Sequence, residues 1–75
     1  MVTIITLDNL ADYNANQVYN LEADFPTPYG YSSRLVDTLG TVDKMMTFIE
    51  KNPNAINVRL RLNRNAYKVS PARWD

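Results

Sequence analysis

Residues 41–62 set two different hydrophobic periodicities back to back, and this pairing constrains the fold more than any other feature of the chain. Thr41 offers a hydroxyl to cap a first helical turn, and Asp43 lies near the positive end of the helix dipole. Apolar residues then recur at Val42, Met45, Met46 and Ile49, which places one stripe along a helix. Lys51 falls in the last turn, Asn52 suits a left-handed terminating position, and Pro53 cannot continue the ladder. The spacing predicts a helix over 42–51. From Ile56 to Leu62 the period drops to two, with Ile56, Val58, Leu60 and Leu62 on one face and Asn57, Arg59 and Arg61 on the other. The polar cluster Asn63-Arg64-Asn65 supplies turn chemistry, and Tyr67-Lys68-Val69 resumes the alternation, so 56–70 reads as a β-hairpin ended by Pro71. Trp74 beyond it is costly to leave in water and is expected to pack.

The N-terminal half is less uniform. Val2 to Leu7 is rich in β-branched residues and reads as a strand, with Asp8-Asn9 as its turn. Residues 14–25 carry two patterns: Asn14-Ala-Asn-Gln17 resembles a capping box that would open a helix through Val18, Leu21 and Glu22. Against it, Tyr19, Leu21, Ala23 and Phe25 alternate with Asn20, Glu22 and Asp24. The alternation runs longer and ends at Pro26, which favours a strand at 18–25, with the helix as the competing solution. Pro26-Thr-Pro-Tyr-Gly30 then forms a tight turn or short loop, and Tyr31 to Leu39 returns as a strand before Gly40.

A chain of 75 residues has room for a single core, so all of it forms one domain. The expected architecture is α+β: a small antiparallel sheet in the order β-β-β-α-β-β, with the helix at 42–51 packed on one face. One short helix cannot cover both faces, so the second must be wet or bound. If 14–24 were helical, the result would be a strand, two helices and a hairpin, still α+β.

The absence of cysteine and histidine removes disulfide scaffolds, zinc modules, thiol enzymes and histidine acid/base catalysis. With two glycines, neither phosphate-binding glycine loop can be built. Glu22 and Asp24 share a face of the expected strand, but acids at alternating strand positions are ordinarily a solvated face, and no catalytic, cofactor or metal residues are assigned. No pair of titratable groups stands out and no histidine can activate a nucleophile, so the expectation is a protein that is not an enzyme. Met1 to Leu7 lack a basic flank, a cleavage site and the length of a membrane span, so the expected location is cytoplasmic.

Eight basic residues balance eight acidic ones, yet they are unevenly placed. Asp8, Asp12, Glu22, Asp24 and Asp37 face Arg34 alone in residues 1–42, and seven bases face Asp43, Glu50 and Asp75 in the remainder. The sharpest cluster is the C-terminal hairpin, where Arg59, Arg61 and Lys68 project from one face with Arg64 at the tip. Three uses compete: nucleic-acid backbone contact beside Tyr67 or Trp74, pairing with Glu22, Asp24 or Asp37 on neighbouring strands, and anchoring of a protein partner. The second cluster is Phe25-Pro-Thr-Pro-Tyr-Gly-Tyr31, whose prolines stiffen a loop bearing Tyr29 and Tyr31, a residue type favoured at interfaces. The candidate partner-binding set is therefore Tyr29, Tyr31, Arg59, Arg61, Arg64 and Lys68. A protein or nucleoprotein partner is the leading expectation, and a small nucleic-acid-binding protein using the basic hairpin is the alternative.

A neutral, short α+β chain without a catalytic set, carrying the Arg/Tyr-rich hairpin Ile56-Asn-Val-Arg-Leu-Arg-Leu-Asn-Arg-Asn-Ala-Tyr-Lys-Val69, resembles the small phage-encoded inhibitors of bacterial host machinery. Anti-CRISPR proteins are the best-known of these. Several place a single helix on a bent antiparallel sheet and act by occluding a protein surface, often one that binds nucleic acid. The resemblance spans size, layout and composition across the whole chain and has no specific motif, so it transfers no residue roles. It implies an inhibitor that docks on a host protein or a nucleoprotein complex such as a CRISPR–Cas effector.

Overall fold

The computed structural model describes residues 2–63, which form one four-stranded antiparallel sheet and one α-helix. In chain order these are β1 (Ile4–Ile5), β2 (Tyr19–Thr27), β3 (Gly30–Gly40), α1 (Val42–Lys51) and β4 (Ile56–Leu62). The sheet order is β1-β4-β2-β3, so β2 and β4 are central and β3 is a long edge. This is the expected α+β class. The second half of the predicted C-terminal hairpin, with Arg64, Tyr67, Lys68 and Trp74, lies outside the described residues. Within them, β4 is flanked by β1 and β2 at Leu60 and Arg61.

Helix α1 has the expected bounds. The Thr41 hydroxyl accepts from the Lys44 N–H at 3.1 Å, and Asp43 and Lys51 lie in the first and last turns. Asn52 ends the helix by a different route from the one expected: its φ of −130° is extended, and its side-chain amide donates to the Phe48 carbonyl at 3.0 Å. The stripe also differs. Met45 is buried, with Val42, Phe48 and Ile49 packed beside it, whereas Met46 is 47% exposed. Successive helical residues point about 100° apart, so one face cannot hold both methionines, and Phe48 takes the place assigned to Met46.

The strand reading of 18–25 holds and extends to Thr27. Asn14 supports a turn, not a helix: its carboxamide oxygen accepts from the Asn16 N–H at 2.9 Å. Tyr19, Leu21 and Ala23 are buried, with Asn20, Glu22 and Asp24 on the opposite face. Pro26 stays inside the strand because β4 stops pairing with β2 at Asp24, leaving no ladder on that side to disrupt. The expected strand over 2–7 shrinks to Ile4–Ile5. Asn9 folds the chain back after it, accepting from the Thr6 N–H and donating to the Ile4 carbonyl at 3.0 Å.

The core is Ile5, Tyr19, Leu21, Met45 and Leu60. The Tyr19 ring lies 5.0 Å from that of Tyr13, and its hydroxyl accepts the Asn14 N–H at 3.1 Å, so the phenol is buried with its polar end satisfied. Gly40 is required by close approach: a Cβ there would sit 2.7 Å from Leu60 Cδ2 and 2.9 Å from the Leu21 nitrogen. Ile56 departs from the expected alternation. A register shift between Glu22 and Asp24, with Asn57 at φ 52°, sets Ile56 opposite Asp24 and leaves it 38% exposed.

Candidate functional site

Beyond the Asp24–Ile56 pair, β2 and β3 pair only with each other among the described residues, through Phe25–Ser32, Pro26–Tyr31 and Thr27–Gly30. The two strands form a finger that extends past the rest of the sheet. Its turn is Pro28-Tyr29, with Gly30 at φ 126°. The Thr27 hydroxyl locks it, donating to the Gly30 carbonyl at 3.0 Å and accepting from the Tyr29 N–H at 3.2 Å. Tyr29 at the tip is 99% exposed and Tyr31 is 64% exposed.

The base of the finger is braced on both faces. On the helix face, the Arg34 guanidinium sits 5.6 Å over the Phe25 ring, whose edge meets Phe48 of α1 at 6.0 Å. On the open face, Arg59 lies between two carboxylates, 2.9 Å from Asp24 and 3.3 Å from Glu22, and its side chain is only 13% exposed. The β4 bulge turns Asn57 toward the same acid, so Asp24 also receives the Asn57 amide at 3.0 Å and the Ser33 hydroxyl at 2.6 Å. The Ser33 hydroxyl, Asn57 amide and Arg59 guanidinium hold the Asp24 carboxyl well below the usual carboxylate range. Arg61 reaches Glu22 at 3.0 Å and is half exposed.

Of the sequence-derived candidates, Tyr31, Arg59 and Arg61 share the helix-free face, and Tyr29 occupies the adjacent tip. Arg64 and Lys68 lie outside the described residues. The arginines pair with Glu22 and Asp24, two of the three acids named for that use. The third, Asp37, turns instead to Lys44 at 3.2 Å, and the Leu39 N–H and Lys44 hold its carboxyl below the ordinary value. Arg34 and Leu35 were absent from the candidate set. Arg34 was visible only as the one base in an acidic half, and its use depends on the Phe25 register, which no local pattern fixes.

Between α1 and β3 runs an open groove of about 420 Å³, floored by Leu21, Val36 and Phe48 and edged by Asp37, Lys44 and Lys51. Among the described residues no three potential metal ligands converge, and no helix is long and apolar enough to cross a membrane. No protein family, curated protein or solved structure matches the chain.

Proposed function

We propose that this chain is a non-enzymatic binding protein that docks through the β2–β3 finger on a larger protein or nucleoprotein complex. The observation that carries the reading is the pairing of a fully exposed tyrosine tip with a base fixed by aromatic and ionic contacts. A braced hairpin loses little freedom on binding, and tyrosine supplies broad contact area with a directional hydroxyl. In this reading Arg59 is a positioning residue, and Tyr29, Tyr31 and the half-exposed Arg61 are the contacts. Together with the resemblance to small phage inhibitors, this makes a bacterial host complex such as a CRISPR–Cas effector the favoured target, with action in the host cytoplasm.

The nucleic-acid alternative has less support, because Arg59 and Arg61 are met by Glu22 and Asp24 and the chain is neutral overall. The experiment is capture from bacterial lysate with tagged wild type and Tyr29→Ala, with and without nuclease. A protein partner that survives nuclease and is lost with Tyr29→Ala supports the reading. A partner that disappears on nuclease treatment favours the alternative.

A further inference from the structure

We propose that two copies of this chain pair edge to edge through β3, antiparallel about a two-fold axis at Ser33, to make one continuous eight-stranded sheet. Bonded and non-bonded pairs alternate along an antiparallel ladder. Pro26 has no N–H, so the Pro26–Tyr31 pair takes a non-bonded place. The register is regular from Glu22–Leu35 to Thr27–Gly30. Tyr31, Ser33 and Leu35 therefore turn their amide groups away from β2, toward the open edge of the sheet.

Among the described residues, nothing on this stretch blocks that edge. It contains no proline or lysine, and the β2–β3 register shifts lie beyond it, toward Tyr19. The Arg34 guanidinium is drawn over Phe25 on the helix face. With Ser33 on the axis, Tyr31 of each copy lies opposite Leu35 of the other. These two residues are 64% and 56% exposed in the single chain, so the pairing covers four exposed apolar side chains with one another. In this register Arg34 faces Ser32 of the second copy. A slip of two residues toward the helix end would set Arg34 against Arg34, and a slip of two the other way would set Tyr31 against Ser33 and lose the Tyr31–Leu35 pair. The contact is isologous and uses the same edge twice, so it closes at two chains. The other sheet edge, β1, is only two residues long. The proposal does not rest on the docking reading: Tyr29 stays free at each tip, while Tyr31 in the paired form is given to the second copy and leaves Tyr29 and Arg61 as the contacts.

The test is light scattering on the full chain over a concentration series to about 1 mM, with wild type, Ser33→Lys, Ser33→Glu and an equimolar mixture of the two variants. The expected result is a wild-type mass rising toward two chains, each variant alone remaining at one chain, and the mixture returning to two. A wild type that stays at one chain, a Ser33→Lys protein that associates as wild type does, growth beyond two chains, or a mixture of folded variants that fails to pair would overturn the proposal. Amide exchange on wild type needs no variant. Exchange at Tyr31, Ser33 and Leu35 should slow as concentration rises, while Ser32 and Arg34, already bonded to β2, stay unchanged; equal slowing at all five, or none, contradicts the register.

Discussion

Arg59 shows how one side chain can decide between two uses of the same charge. Alternation in β4 places it outward, where sequence alone leaves it equally suited to a partner or to a neighbouring strand. The register with β2 brings Glu22 and Asp24 within 3.3 Å and 2.9 Å of it. Arg59→Ala would leave two carboxylates side by side without their shared cation, so its melting point should fall by several degrees. An unchanged midpoint in thermal unfolding would show that the cluster does not brace the finger. The pH dependence follows from Asp24. Its native pKa lies below the ordinary 3.8, so its contribution is fully present above that value and is lost as acid protonates the native carboxyl. Asp24→Asn should therefore be less stable than wild type at neutral pH, and the gap should narrow as the pH is lowered below about 4, as measured by urea unfolding.

At the scale of elements, what could be read in advance is what local chemistry fixes. Helix α1 carries its own start in Thr41 and its own stop in Asn52 and Pro53, and β2 carries an alternation long enough to prevail over the competing helix from Asn14. The β4 bulge has no comparable local signal: it brings Asn57 and Arg59 together on Asp24, a contact 33 to 35 residues away in sequence, and the side chain it displaces, Ile56, obeys the alternation perfectly in sequence. The helix stripe was ambiguous for a geometric reason, because adjacent Met45 and Met46 both fit a coarse spacing and only packing against Leu60 and Ile5 separates them. Met45→Asp should unfold the domain, as a charge in a single small core costs several kcal/mol, whereas Met46→Asp should stay within about 0.5 kcal/mol of wild type. Circular dichroism melts of the pair distinguish the two stripes, and equal destabilisation would contradict the packing. Gly40→Ala tests the close approach of the end of β3 to Leu21 of β2 and Leu60 of β4. Its Cβ would meet the Leu21 backbone at 2.9 Å, so a loss of about 1–3 kcal/mol is expected, against a small gain if the strands could part.

At the scale of the whole fold, α1 leaves one sheet face without a helix among the described residues, and that face carries a polar lattice that stiffens a projecting finger. The finger was only half legible in sequence: the tyrosines and prolines of 25–31 mark a stiff turn, but its projection depends on where β4 stops pairing, a long-range property of the register. Stability and recognition should therefore separate, with Arg59 and Met45 governing melting and the tip governing partners. The most direct measurement is the affinity of Tyr29→Ala for the nuclease-resistant partner captured by wild type, alongside its melting point. Binding should weaken by about fivefold or more, equivalent to roughly 1 kcal/mol, with an unchanged midpoint. Wild-type affinity in a Tyr29→Ala protein would contradict docking through the tip.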